Sequence, residues 1–214
     1  LESILEGIWK RQPKVIGFSC YIWNWKLIRE ILTELPKILP DTEIWLGGPE
    51  VTYDGPGLLA EFPQVTGIMV GEGEVTFREV LEQYLREAET AGRSEQQPGS
   101  DSIKQQAADR RVTVAGKSVE ERFGQIPGLC LASGYTAPRE LTDLTTLPFL
   151  YEDMDPFTNR IIYYETSRGC PYRCSYCLSS IDKKVRLRDI SVVKKELQFF
   201  LDQNVKQVKF IDRT

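Results

Sequence analysis

Three short apolar segments, each followed by a segment with helical periodicity, constrain the fold of the first part of this chain. The apolar segments cover residues 15–21, 43–46 and 67–70. Nearly continuous apolar runs of this length are typical of strands that are buried on both faces of a parallel sheet. Because helical segments alternate with these runs, the pattern predicts right-handed crossovers and an open, doubly wound α/β sheet.

The helices between these strands are predicted from apolar residues at helical spacing. Residues 1–9, 27–35 and 75–89 each carry an apolar stripe with steps of three and four residues, and a shorter helix is predicted over 56–62. From about residue 89 to residue 121 the sequence becomes polar and contains few large apolar side chains. This composition predicts a disordered or weakly ordered insertion in the first domain.

The chain is predicted to contain two domains. The first covers residues 1–136, a proline-containing connection covers 137–160, and residues 161–214 begin a second domain. A β-rich run over 161–166, helical spacing over 192–201 and a strand over 208–211 form one βα unit and the next strand. Because the sequence starts without methionine and stops directly after a predicted strand, we expect it to be part of a longer protein.

Ligands of open α/β sheets bind beyond the carboxyl ends of the strands. In this chain those ends are residues 19–24, 47–52 and 71–75, and glycine is abundant in the last two. Glycine lets a ligand approach the backbone closely, but it also forms ordinary tight turns, so glycine content alone leaves both interpretations open. The glycine spacing differs from G-x-G-x-x-G, so it does not support NAD binding.

Cys170, Cys174 and Cys177 follow the spacing C-x₃-C-x₂-C. A structural zinc ion needs four protein ligands, and the sequence has no histidine, so the fourth would be distant Cys20, distant Cys130 or a carboxylate. An iron–sulfur cubane takes one thiolate on each iron, so three thiolates leave one iron open for a small molecule. The other two cysteines lie in apolar runs and are predicted to be core residues.

Other interpretations of three clustered cysteines are buried small side chains, a zinc knuckle shared with a partner, and part of a disulfide framework. Five cysteines is an odd number, and no secretory or membrane-spanning segment is visible in the sequence. We therefore disfavour disulfides and expect a cytoplasmic location without a membrane partner. The net charge of −4 gives no global basic surface for nucleic acid.

Residues 165–177, with the sequence ETSRGCPYRCSYC, resemble the signature of radical S-adenosylmethionine (SAM) enzymes. The resemblance implies that Cys170, Cys174 and Cys177 bind a [4Fe–4S] cluster whose open iron binds SAM, with Tyr176 against the adenine. It also implies an electron donor that reduces the cluster, and radical chemistry on an unknown substrate. Asp212 stands about where relatives place polar contacts to SAM, although the family's Gly-Gly-Glu pattern is not matched there.

The strand ends FSCYIWN, LGGPEVT and VGEGE are similar to the cobalamin-binding-type domain that precedes many radical SAM cores. The resemblance implies a Rossmann-like domain that lacks the family's first strand and the following loop. The residues that it places around the nucleotide tail of cobalamin are Ser19, Gly47, Gly48, Thr52, Gly71, Glu72 and Gly73. Because the sequence has no histidine, the family's histidine-ligated mode of cobalt binding is excluded for this segment.

The combined prediction is a Rossmann-like α/β domain followed by the first βα unit of a radical SAM partial TIM barrel. Its cofactors would be a [4Fe–4S] cluster, SAM and cobalamin. Methyl transfer is one reaction that the resemblance allows, and rearrangements without methyl transfer are another. The rival hypothesis is a non-catalytic zinc-binding or scaffold module with a Rossmann-like pocket.

Overall fold

The computed structural model of the chain describes residues 1–94, 112–113, 116–172, 174–177 and 184–212. These residues belong to two units, Leu1–Leu141 and Thr142–Thr214. The boundary between the units lies within residues 137–160, which the sequence predicted to be an extended connection. Of the described helices, none combines the length and the apolar character that crossing a lipid bilayer requires.

The first unit is built on an α/β framework. Its elements are α1 (Glu2–Arg11), β1 (Val15–Ser19), α2 (Trp25–Ile38), β2 (Glu43–Gly47), α3 (Gly55–Glu61), β3 (Val65–Met69), α4 (Gly73–Ser94), β4 (Val112–Thr113), β5 (Lys117–Ser118), α5 (Val119–Phe123), β6 (Leu129–Leu131) and β7 (Gly134–Tyr135). The main sheet has the order β1-β2-β3-β6-β7, with β4 and β5 as a separate antiparallel pair. Strands β1 to β3 are parallel, and β6 and β7 form an antiparallel hairpin beside β3.

Helices cover both faces of this sheet. Ile44 and Leu46 of β2 belong to a buried cluster with α2, whereas Trp45 belongs to a second cluster with Val80 of α4 and Phe123 of α5. Side chains alternate between the two faces of a strand, so a central strand with helices on both sides is apolar throughout. The predicted α/β fold with a parallel, Rossmann-like sheet is therefore confirmed.

The structure differs from the predicted insertion of residues 89–121 at both of its ends. Helix α4 continues to Ser94, and α5 begins with a capping box in which Ser118 and Glu121 exchange backbone-to-side-chain hydrogen bonds. Arg122 then binds Glu87 of α4 with both N–O distances at 2.8–2.9 Å. Polar composition concealed this order because a cap and an ion pair help to hold these ends, in addition to the buried ring of Phe123. Residues 95–111, the centre of the predicted insertion, lie outside the described part of the chain.

The second unit contains a βα unit of the predicted kind. Its elements are two 3₁₀ turns (Leu144–Thr146 and Asp155–Phe157), β8 (Ile162–Tyr164), β9 (Ser167–Arg168), β10 (Arg186–Leu187), α6 (Ile190–Asp202) and β11 (Val208–Phe210). Strands β8 and β11 are parallel and α6 connects them, while β9 and β10 form a short antiparallel pair.

Most of the predicted connection 137–160 packs in the second unit. The ring of Phe149 lies 5.3 Å from that of Phe199, and the ring of Tyr151 lies 5.4 Å from that of Phe200. Met154 joins the same apolar cluster. The prolines of this segment suggested an extended connection, but the aromatic residues between them bury their rings against α6.

Candidate functional site

The turn after β2 passes directly over the end of β1. The Cys20 amide donates to the Gly47 carbonyl at 2.7 Å, and the Glu50 amide donates to the Cys20 carbonyl at 3.3 Å. Gly48 has a φ of 106°, and a Cβ at this position would lie 2.6 Å from the Cys20 carbonyl oxygen. A side chain at residue 48 is therefore excluded both by backbone conformation and by space.

The loop after β1 is folded by Asn24. Its Oδ1 accepts a hydrogen bond from the Tyr21 amide at 2.8 Å, and its Nδ2 donates to the Ser19 carbonyl at 2.9 Å. The loop presents Ile22 and Trp23 to solvent with 79% and 76% of their surface exposed, and the Tyr21 and Trp23 rings stack at 4.6 Å. The strand end thus carries two adjacent apolar side chains that are exposed.

The ends of β2 and β3 differ in how much space surrounds them. The Thr52 hydroxyl donates to the Gly48 carbonyl at 2.9 Å, which completes the turn after β2. At Gly71, with a φ of 78°, and at Gly73, no atom of the described residues beyond the adjoining backbone lies within 4 Å of the position that a Cβ would take. Glu72 lies between them and is half-buried. The backbone after β3 is therefore open to a ligand.

The residues predicted to surround cobalamin lie at the carboxyl ends of three adjacent parallel strands. Ser19 pairs with Gly47 in the register of β1 and β2, and Gly47 pairs with Met69 at the end of β3. These three strand ends meet at one edge of the sheet, the edge where open α/β sheets bind ligands. That this edge binds cobalamin stays a prediction.

Cys20 and Cys130 are core residues, as the sequence predicted. Both are completely buried. Burial raises the pKa of Cys20 to about 11, with a smaller lowering by the hydrogen bond with Gly47 and a raising by Glu50. Burial also raises the pKa of Cys130. Since the thiolate is the form that binds metals, these environments disfavour metal ligation by either residue.

The remaining three cysteines lie on one loop of the second unit, between β9 and β10. Cys170, Cys174 and Cys177 are half-buried and form no disulfide, and the Cys177 amide donates to the Cys174 carbonyl at 3.1 Å. Tyr176 in the same turn is 90% exposed. Among the residues that the structure describes, which leave out 173 and 178–183 of this loop, no three Cys, Asp or Glu side chains are gathered as metal ligands.

The donor set of this loop nevertheless suits a cluster. The loop offers three cysteines that form no disulfide and have partial solvent access, and the other two cysteines are buried in the first unit. Thiolates are the usual ligands of iron–sulfur clusters. A fourth thiol is not among the described residues of this loop, which matches a cluster with one open iron better than a closed zinc site.

Asp212 binds the backbone from which the cysteine loop departs. Its Oδ1 accepts hydrogen bonds from the Thr166 and Ser167 amides, both at 2.7 Å, and its Oδ2 accepts from the Thr166 hydroxyl at 2.5 Å. Burial alone would raise the pKa of Asp212, but these hydrogen bonds lower it below its usual value. The predicted contact of Asp212 with SAM stays a prediction, and the contacts that are present are with this backbone.

A buried ion pair fixes the other side of the loop. The Arg188 guanidinium donates to Glu196 at 2.7 and 2.8 Å, and the Tyr164 hydroxyl donates to Glu196 at 2.5 Å. The Arg188 amide donates to the Thr166 carbonyl at 2.9 Å. The sequence analysis missed this group. Its signal was a glutamate on the buried face of α6, between Val193 and Phe200.

Comparisons with known proteins concern the first unit and the similarity of the chain as a whole. Residues 1–81 match the family model described as the B12 binding domain. The 2-(S-pantetheinyl)-carbapenam-3-carboxylate methyltransferase of Streptantibioticus cattleyicolor is 28% identical over 211 residues, which cover 94% of this chain and 27% of that protein. The cobalamin-dependent radical SAM methyltransferase TokK of Streptomyces tokunonensis is 29% identical over 223 residues, 99% of this chain and 29% of TokK.

A third relative is an uncharacterised methyltransferase of Pyrococcus horikoshii, 27% identical over 219 residues, which cover 99% of this chain and 42% of that protein. The chain thus spans between about a quarter and two fifths of the length of these relatives. The family match and the relatives together support a cobalamin-binding-type domain in the first unit, within a chain that is similar to methyltransferases.

Proposed function

We propose that this chain is part of a cobalamin-dependent radical SAM enzyme that transfers a methyl group. One observation carries the proposal. A region that matches the B12 binding domain and a loop with three cysteines at C-x₃-C-x₂-C spacing, none of them in a disulfide, occur in the same chain. The relatives that are named as methyltransferases, one of them as a cobalamin-dependent radical SAM methyltransferase, support the same combination.

Cobalamin would bind at the carboxyl ends of β1, β2 and β3. The open backbone at Gly71 and Gly73 would lie along its nucleotide tail, and the turn at Gly48 would keep the neighbouring strand ends in place. Because the sequence contains no histidine, no imidazole of this segment would bind the cobalt. The exposed Ile22 and Trp23 would then contact the apolar part of the cofactor.

Cys170, Cys174 and Cys177 would hold a [4Fe–4S] cluster, and the iron without a cysteine would be left for SAM. When bound, the cluster and SAM supply radical chemistry, and cobalamin supplies a methyl carrier. The chain contributes ligation and orientation. Tyr176, which is exposed in this structure, would lie against the adenine of SAM. The enzyme would need an electron donor, and its substrate class is left open by these residues.

The test is anaerobic reconstitution of the full-length protein with iron and sulfide, followed by its visible spectrum and a titration with hydroxocobalamin. We expect iron–sulfur absorption, saturable cobalamin binding and, after reduction, cleavage of added SAM. A colourless protein that contains zinc and binds no cobalamin would instead support the rival hypothesis, a non-catalytic zinc-binding or scaffold module. Cluster formation without cobalamin binding would retain the radical SAM assignment and remove the methyl carrier.

A further inference from the structure

We infer that Asp212 is a positioning residue for the cysteine loop, because it holds the backbone at Thr166 and Ser167 from which the chain leads to Cys170. The inference rests on the proposed function in that the loop is taken to bind a cluster. The contact itself is independent of any cofactor. The inference extends the proposed function because it assigns a role to a residue that lies far from the cysteines in sequence.

The contact uses both oxygens of the Asp212 carboxylate. Two consecutive amides donate to Oδ1, and the Thr166 hydroxyl donates to Oδ2. Hydrogen bonds to an ionised carboxylate are stronger than those between neutral groups. The half-buried position of Asp212 limits competition by water. Three such bonds restrict the backbone at both residues.

Asp212 is itself fixed by the strand that precedes it. Strand β11 pairs with β8 in parallel register, and the Ile211 amide donates to the Tyr164 carbonyl at 3.0 Å. The carboxylate is therefore presented from the end of one strand to the residues that directly follow the neighbouring strand. This contact between the ends of two paired strands restrains the backbone segment that leads into the cysteine loop.

The loop is closed on its other side by backbone pairing. Arg186 is opposite Arg168 in the antiparallel pair of β9 and β10, and Arg188 is bound both to the Thr166 carbonyl and to Glu196. The cysteines therefore lie on a loop with two fixed ends. Bringing the two ends of a loop together in advance removes part of the conformational entropy that must be lost when its side chains gather around a ligand.

The experiment compares Asp212→Ala and Asp212→Asn with wild type in the full-length protein. A matched control is Asp202→Ala, which removes an exposed carboxylate at the end of α6 whose hydrogen bond within the described part of the chain is with Gln198. The measurements are iron bound per protein, the electron paramagnetic resonance spectrum of the reduced cluster with and without SAM, and amide hydrogen exchange of the cofactor-free protein.

For Asp212→Ala we expect iron binding to fall by roughly twofold or more, and the amides of residues 166–168 to exchange faster, because three hydrogen bonds to a charged group are lost. The spectral response of the cluster to SAM should weaken as well, which a general loss of stability would not cause. Asp212→Asn should lie between Ala and wild type, since its amide oxygen can still accept from both backbone amides. Asp202→Ala should match wild type.

Unchanged exchange at residues 166–168 in Asp212→Ala, together with wild-type iron content and spectra, would overturn the inference. If wild type itself binds no iron, the proposed function falls, and hydrogen exchange still decides whether Asp212 holds this backbone. If Asp212→Ala does not fold, Thr166→Val removes only the hydroxyl contact. Faster local exchange at an unchanged melting temperature then supports the inference, and unchanged local exchange contradicts it.

Discussion

Gly48 lies against the backbone of Cys20, so closely that a Cβ on Gly48 would lie 2.6 Å from the Cys20 carbonyl oxygen and 3.0 Å from its amide nitrogen. The contact joins the turn after β2 to the end of β1. Since both segments belong to the edge at which cobalamin is proposed to bind, the conformation of that edge depends on the absence of a side chain at residue 48.

Replacing Gly48 by Ala should therefore damage the fold and the proposed cobalamin site together. The φ of 106° and the overlap with Cys20 predict a loss of about 1–3 kcal/mol in the free energy of unfolding. Urea unfolding and titration with hydroxocobalamin measure the two effects. The control is Gly7→Ala in α1, where the nearest atom to the new Cβ is Arg11 Nη1 at 3.5 Å, an ordinary contact. A Gly48→Ala protein as stable as wild type would contradict the prediction.

The five cysteines should separate into two groups when each is replaced by Ala. We expect Cys170, Cys174 and Cys177 variants to lose iron after anaerobic reconstitution, because the three thiols lie on one loop with partial solvent access. Cys20 and Cys130 variants should keep the iron and lose roughly 1 kcal/mol of stability from the core. The measurement is the iron and sulfide content of each variant after reconstitution. Loss of iron in either core variant, with retention in the loop variants, would refute the ligand assignment.

Alkylation should distinguish the same two groups without any cofactor. The thiolate is the reactive form of cysteine, and burial raises the pKa of Cys20 to about 11 and also raises that of Cys130. In the cofactor-free protein at about pH 8, close to the usual thiol pKa, iodoacetamide should modify the three loop cysteines first. Cys20 and Cys130 should react only after denaturation, as peptide mass spectrometry would report. Early modification of Cys20 would show that the end of β1 opens readily.

The ion pair between Glu87 and Arg122 should make the stability of the first unit depend on pH. Burial alone would raise the pKa of Glu87, but hydrogen bonds from Arg122 and Gln83 lower it below its ordinary value of 4.5. Folding therefore favours the ionised carboxylate. Its stabilisation is fully present above the unfolded pKa and is lost as the pH falls through the lower folded pKa.

Glu87→Gln should accordingly cost about 1–3 kcal/mol near neutral pH, and the difference from wild type should shrink as the pH falls below 4.5. Thermal unfolding across this range measures it. Glu82→Gln on the same helix is the control, because its pair with Arg78 is exposed and its shortest N–O distance is 3.6 Å. A constant difference at all pH values would show that packing, rather than charge, explains the effect.

Much of the first unit could be predicted because its signals are local. Strand β2 is apolar on both faces, and the stripe of α2 has the helical period, so neither depends on distant residues. The end of α4 and the start of α5 could not be predicted in this way. Their order depends on Arg122, which is completely buried as a side chain and binds Glu43 and Glu87 from two other elements. The amino-acid composition of the segment does not reveal that Arg122 pairs with these two glutamates.

The candidate site likewise combines features that the sequence reveals with contacts that it does not reveal. The cysteine spacing and the glycine-containing strand ends are visible in the sequence, but the contacts that hold the cysteine loop are not. Thr166 and Asp212 meet only because β8 and β11 are neighbours in the sheet. A polar residue at the end of a strand resembles a ligand contact in sequence, whether it faces a cofactor or the protein's own backbone.

The hydrogen bonds between Asp212 and the backbone at Thr166 also join residues that are separated in time during synthesis. All three cysteines of the loop are translated before α6, β11 and Asp212. The nascent chain therefore carries the thiols while the carboxylate that binds Thr166 and Ser167 does not yet exist. The base of the loop is completed only after Asp212 has been translated, and any protection that it gives the thiols against oxidation begins only at that point.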